Sequence, residues 1–165
     1  MSGPKKHTKK KGGPYLAAAL FCEGTTEDKQ DSALSVYRIV DQLNVFLGPE
    51  TPADFPSEDQ RIPIAINALL AFRTGDVPGE HKVRLVLESP SGKIKPENIS
   101  EQTVVFTPQP HGGANLRLKS TIGVVKGGLF LLHVYLDGKR MTTMPLQISV
   151  IRATATQDSQ STSTN

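Results

Sequence analysis

Gly127-Gly128-Leu129-Phe130-Leu131-Leu132-His133-Val134-Tyr135-Leu136-Asp137-Gly138, continued by Lys139 to Val150, reads as a long β-hairpin that turns at Asp-Gly. Asp-Gly between alternating apolar residues is a strong hairpin signal, because glycine adopts the positive φ that tight turns require without steric cost. A two-residue loop would set Leu136 opposite Lys139 and Phe130 opposite Pro145, mixing apolar and polar faces. An odd-length loop over Leu136-Asp137-Gly138 instead pairs Phe130 with Met144 and Leu132 with Thr142. The expectation is therefore this odd register, a positive φ at Gly138, and one buried face made by Phe130, Leu132, Met144, Leu146, Ile148 and Val150. Such a hairpin specifies an architecture and leaves activity open.

Upstream of it, apolar runs recur between turn signals. Tyr15 to Cys22 reads as a strand of small residues buried on both faces, with Leu16, Ala18, Leu20 and Cys22 on one side and Tyr15, Ala17, Ala19 and Phe21 on the other. A polar loop, Glu23 to Ser32, follows. Residues 34–47 carry two periods: Val36, Val40, Leu43 and Leu47 have helical spacing, whereas Tyr37, Ile39, Leu43, Val45 and Leu47 follow a strand period interrupted at Asp41. A strand over Leu34 to Leu43 is preferred, since Val, Tyr and Ile favour extended backbone and no N-cap precedes a helical run.

Gly48 to Gln60, with Pro49, Pro52 and Pro56, is a long loop, after which Ile62, Ile64, Ile66, Ala68, Leu70 and Phe72 alternate as a strand. Turn residues fill Thr74 to Glu80. Val83, Leu85 and Leu87 alternate against Lys82, Arg84 and Glu88, and Pro90-Ser91-Gly92 closes that strand. Thr103 to Phe106, Leu116 to Val125, Leu129 to Leu136 and Thr142 to Ile151 complete the set. The fold class expected is all-β: a single antiparallel β-sandwich of about 7–8 strands with Greek-key, immunoglobulin-like connections.

Composition bounds the rest. A chain of 165 residues with 14 Gly, 12 Pro and 37% apolar residues suits one turn-rich β domain. Residues 1–13 form a Lys, Gly and Pro arm and residues 153–165 a Ser, Thr and Gln tail; neither has apolar periodicity, so both are expected to be disordered around a domain at 14–152. Of 19 Lys and Arg and 16 Asp and Glu, five lysines (Lys5, Lys6, Lys9, Lys10, Lys11) lie in the arm and only Asp158 in the tail. The body, Gly13 to Arg152, is left with 14 basic and 15 acidic residues, a net charge of −1. The basicity thus belongs to the arm, whose lysines are the candidate polyanion contacts, through weak nucleic-acid binding by counterion release.

The single cysteine, Cys22, permits no intrachain disulfide and reads as a small buried hydrophobe at a strand end. No apolar stretch approaches the roughly 20 residues that span a bilayer, and no cleavable leader pattern follows the arm, so a cytoplasmic protein with no membrane partner is expected.

Several segments together resemble a bacterial β-sandwich family known mainly as a domain of unknown function. They are Phe21-Cys22-Glu23, the run Ala33-Leu34-Ser35-Val36-Tyr37-Arg38-Ile39-Val40-Asp41, the loop Pro49 to Pro56 before an Ile-rich strand, and the terminal Gly-x-Phe-x-Leu-x-Val-x-Leu-Asp-Gly hairpin ending in Pro145-Leu146. The likeness spans about Tyr15 to Ile151. It implies a fold and carries no catalytic residues, because its motifs are turn and core positions.

Candidate chemistry is thin. His7, His81, His111 and His133 form no pair with zinc-ligand spacing, and His133 is expected as a surface or half-buried residue on the outer side of the last hairpin. Two acidic loops, one with Glu23, Glu27, Asp28 and Asp31 and one with Glu50, Asp54, Glu58 and Asp59, lack the glycine-centred repeat of a calcium loop and read as solvated. Gly112-Gly113 and Gly127-Gly128 read as turn glycines rather than a phosphate cradle. No nucleophile elbow surrounds Ser91-Gly92, and nothing pairs Glu88 or Asp41 as an acid. No cofactor, metal or catalytic site is expected. The function expected is a non-enzymatic module that binds a protein partner or associates with itself through sheet faces or edges, with Pro63 and Pro145 at protected or edge positions. A nucleic-acid accessory role for the lysine arm is the alternative.

Overall fold

Alternating apolar residues in an extended chain bury one face, and two such faces must cover each other. The computed structural model, which describes residues 12–31, 33–108 and 112–153, shows this arrangement. The described strands are β1 (Tyr15–Glu27), β2 (Leu34–Ile39), β3 (Gln42–Leu47), β4 (Ile62–Arg73), β5 (Gly79–Glu88), β6 (Ile99–Phe106), β7 (Gly113–Val124), β8 (Gly128–Leu136) and β9 (Lys139–Arg152). A short 3-10 turn at Pro96–Asn98 is the one helical element among the described residues.

One sheet runs β2-β1-β4-β7 and the other β3-β9-β8-β5-β6. Leu70 and Phe72 of the first and Val83, Val134, Leu146 and Ile148 of the second meet in a single core. The protein is all-β, as expected, but among the described residues it has nine strands rather than seven or eight, and it is not antiparallel throughout: β3 pairs with β9 in parallel.

Both differences arise at residues 34–47. This segment is extended, but it is two strands shared between two sheets. Val40 donates its N–H to Phe21 in the first sheet at 2.9 Å, and the carbonyl of the next residue, Asp41, accepts from Gln147 in the second, also at 2.9 Å. The chain passes from sheet to sheet between adjacent residues without reversing, which leaves β3 parallel to β9.

The loop expected over Glu23 to Ser32 is shorter than its polarity suggested. β1 continues to Glu27 because β2 offers it a partner, Thr25 opposite Val36 and Glu27 opposite Leu34. Cys22 accordingly lies within β1, not at its end. It is buried, as are Leu69 and Ala71 beside it on the outer face of the first sheet. Tyr15 is exposed, so this strand is not covered on both faces along its length.

That outer burial has a cover. Arg117 sits opposite Leu69, which is opposite Leu20, yet its guanidinium reaches the Glu27 carboxylate at 3.1 Å. On a straight strand Glu27 would be about 23 Å farther along than Leu20 at roughly 3.3 Å per residue, beyond the reach of both side chains. The β1–β2 hairpin must therefore bend back across this face, and the Asn67 amide bonding the Glu23 carbonyl at 2.9 Å holds the bend.

The terminal hairpin turns at Asp137-Gly138 as expected, and φ at Gly138 is +80°. Its register is neither of the two weighed from the sequence. Leu136 faces Lys139 across a two-residue loop, with Asp137 also at positive φ (+49°), the mark of a type I′ turn. A bulge at Met141 then advances the pairing by one, so Leu132 faces Met144 and Phe130 faces Leu146. The expected buried set of Phe130, Leu132, Met144, Leu146 and Ile148 is present, with Val150 half-buried. The bulge, and not an odd loop, restores the phase.

Pro63 and Pro145 lie on interior strands, at stretches where one neighbour is missing. β1 pairs with β4 only from Asn67 onward, and β3 meets β9 only from Gln147. A missing N–H is tolerated at such a place.

Candidate functional site

Polar or exposed groups gather at two separate histidines in the second sheet, in a cleft at one end of the molecule, and at the sheet edges.

His81 points inward from β5 and stacks on Phe106, ring centroids 4.6 Å apart. Its Nδ1 lies 2.7 Å from the Asp137 carboxylate and its Nε2 3.0 Å from the Val77 carbonyl. Both partners offer oxygen acceptors, so each ring nitrogen meets its partner as an N–H donor. Asp137 also accepts from the Lys82 amide at 2.8 Å and donates its own amide to the Lys82 carbonyl. Burial pushes the Asp137 carboxyl up, but the His81 hydrogen bond, the Lys82 amide and the His81 charge outweigh it and hold the group below its ordinary range.

His133 is buried rather than at the surface, which corrects the expectation for it. It does lie on the outer side of β8, where its Nε2 meets Glu88 at 2.9 Å and its Nδ1 meets the Thr143 hydroxyl at 2.9 Å. With hydrogen on Nε2, Nδ1 is left to accept from Thr143. The order carboxylate, imidazole, hydroxyl is one that can activate a nucleophile, but activation also needs donors converging on a developing oxyanion. Here the three side chains are cross-strand neighbours on β5, β8 and β9, and their bonds meet the rule that buried polar groups are paired. The sequence had left Glu88 without a partner; its partner lies 45 residues away in the chain.

The cleft lies where β5, β7 and the loop before β4 end. It has a volume of 610 Å³ and is lined by Arg61, Lys93, Lys95 and Lys126 together with Glu58 and Glu97. Glu58 receives Lys95 and Arg61, each at 2.9 Å, and Arg61 also faces Glu97 at 3.5 Å. The Lys95 hydrogen bond, then the Lys95 charge and Arg61, lower the Glu58 carboxyl. Next to the cleft an apolar cavity of 220 Å³ opens between the sheets.

At the opposite side are edge strands β2 and β3. Ile39 and Phe46 are each 72% exposed, Tyr37 is 51% exposed, and Ile151, paired with Phe46, is 40% exposed.

The expected polyanion contacts Lys5, Lys6, Lys9, Lys10 and Lys11 lie outside the described residues, as do His7 and His111. Gly12, at the end of that arm, exchanges hydrogen bonds with Asp76. The first acidic loop is tied into the fold, and Glu58 of the second lies in the cleft. Asp28 and Asp31 accept the amides of Gln30 and Ala33, Glu23 pairs with Arg38, and Glu27 with Arg117. Among the described residues no group of three or more His, Cys, Asp or Glu is placed to hold a metal ion. No helix among them is long and apolar enough to cross a membrane. Gly113 and Gly128 begin strands β7 and β8, and a Cβ on Gly113 would run into the Phe72 carbonyl, so close backbone approach requires glycine there.

No family model and no curated protein matches the chain. Among solved structures, it is similar to an immunoglobulin-like protein from Pseudomonas aeruginosa, at 8% identity over 84% of this chain and 98% of that one, with a TM-score of 0.41. It is also similar to a DNA-bound alkylpurine DNA glycosylase from Pseudomonas fluorescens, at 12% identity over 66% of this chain and a TM-score of 0.35. A third likeness is to a β-glucosidase from Listeria innocua, at 8% identity over 69% of this chain and a TM-score of 0.37. The chain spans 28% of the glycosylase and 15% of the glucosidase. Likenesses this slight place it in no family.

Proposed function

We propose that this chain is a non-enzymatic binding module that attaches to a protein partner, or to a second copy of itself, through the side carrying β2 and β3. The observation that supports this reading is the apolar edge: Tyr37 and Ile39 on β2, and Phe46 on β3 beside Ile151, are large, exposed and on edge strands. Edge strands present unpaired N–H and C=O groups, and soluble monomers usually protect them with charge, proline or a bulge. Here Arg38 is the charge on β2 and β3 has none, so the β3 edge is open to strand addition with Phe46 as its anchor.

The connections support a Greek-key, immunoglobulin-like arrangement, since a first-half strand, β3, crosses sheets to run parallel to the last strand. The segments that resemble the bacterial domain of unknown function fall on β1, on β2 with its crossover, and on the β8–β9 hairpin, all positions that build this fold. A cytoplasmic location belongs to the same reading.

Sedimentation velocity over a concentration series, with co-purification of tagged protein, tests it. The unaltered chain should associate or capture a partner, and Phe46→Lys should abolish this while leaving the unfolding midpoint in place. A chain that stays monomeric at high concentration and captures nothing would sink the proposal.

A further inference from the structure

We infer that the seam between β7 and the Pro96–Asn98 turn is a binding site for a small amphipathic anion, with its apolar body between the sheets and its head among the lysines of the adjoining cleft. The site lies at the β6 and β7 edges, on the side away from β2 and β3, so it does not depend on the association proposed above.

The 220 Å³ cavity has walls of core side chains from both sheets, among them Phe21, Ala68, Leu85, Leu118 and Leu132. Its mouth lies between Lys119 to Thr121 on β7 and, facing them, Asn98 of the 3-10 turn and Ser100 of β6. An apolar cavity of about 150 Å³ stays dry and accepts a benzene-sized guest, so one of this size is ready for an aryl or short alkyl group. Most two-sheet cores close such a space with side chains. Here the facing positions are small, Ala68 and Ser120 among them.

The charge requirement comes from the neighbouring cleft, which shares Leu87, Glu97, Asn98, Thr121 and Ile122 with the cavity. A molecule entering at the seam can therefore occupy both. Of the four cations lining the cleft, Arg61 and Lys95 are engaged by Glu58, and Arg61 also by Glu97. Lys93 and Lys126 form no ion pair among the described residues. Two ammonium groups are thus left facing an opening whose carboxylates are already matched, which favours a carboxylate or phosphate head and disfavours a cationic one.

The test is two-dimensional NMR of the labelled full chain, titrated separately with octanoate, octyl phosphate, octanol and octylammonium. Octanoate or octyl phosphate should shift the amides of Leu118 to Ile122 and Glu97 to Ser100, and the tighter of the two identifies the head group. Lys93→Gln with Lys126→Gln should weaken the anions by about three- to tenfold at low salt and leave octanol unchanged. Ala68→Leu, which fills the cavity, should abolish binding; should it fail to fold, Ser120→Trp, on the inner face of β7 at the exposed mouth, serves the same purpose. Absence of shifts with both anions, or binding of octylammonium as tight as that of the anions, would overturn the inference.

Discussion

The His81 imidazole and the Asp137 carboxylate, 56 residues apart in sequence, meet at 2.7 Å and join the start of β5 to the β8–β9 turn. The contact explains why the turn residue is Asp. Its side chain and main chain both bind Lys82, so the hairpin end is fastened to the neighbouring strand as well as closed on itself.

Acid should loosen this fastening. Because the folded Asp137 carboxyl titrates below its ordinary value of about 4, its stabilisation is complete above that pH and is lost as pH falls through the depressed value. Asp137→Asn, which tolerates the positive φ, should flatten the acid limb of stability below about pH 4. Urea unfolding of both proteins from pH 6 downward checks it, and identical acid limbs would remove Asp137 from the account.

The bulge at Met141 makes a prediction about phase. Leu146 has no exposed surface, whereas Gln147 faces outward and is only half-buried. Leu146→Ala should cost about 2–5 kcal/mol and Gln147→Ala about 0.5 kcal/mol or less. Denaturant midpoints decide; comparable losses at both sites would mean the face assignment is wrong.

Cys22 reports on the bent hairpin. Burial pushes its thiol up, only partly offset by the hydrogen bond to the Gly24 backbone, so alkylation of the native protein should be slow and should become fast on unfolding. Arg117→Ala removes one strap holding the hairpin over this face. An exposed ion pair contributes about 0.2–1 kcal/mol, so labelling should quicken by a factor of about 1.5–5. Unchanged kinetics would show that the hairpin is held elsewhere.

Gly113 tests close packing between β4 and β7. A methyl group there meets main chain, which cannot move aside as a side-chain tip can. Gly113→Ala should destabilise by about 1–3 kcal/mol, whereas Gly48→Ala, with open space around it, should cost far less. Thermal unfolding of the pair is the measurement.

By itself the sequence determined the local choices: which segments extend, where the Asp137-Gly138 turn falls, and the apolar set that β8 and β9 bury. These follow from residue preferences acting over a few neighbours. Period-two reading lost the phase wherever a bulge added a residue. Between Leu16 and Ala18, as at Met141, the inward face changes parity, and nothing in the one-dimensional pattern marks the spot. Only tertiary structure decided that residues 34–47 divide between two sheets, that Glu23 to Glu27 is strand, and that His133 is buried with Glu88 and Thr143. The cleft shows the same limit, since Glu58, Arg61, Lys95 and Lys126 come from three separate loops. Which partner a strand edge or a charge acquires depends on chain folded back from dozens of residues away, and that proximity is a property of the whole fold.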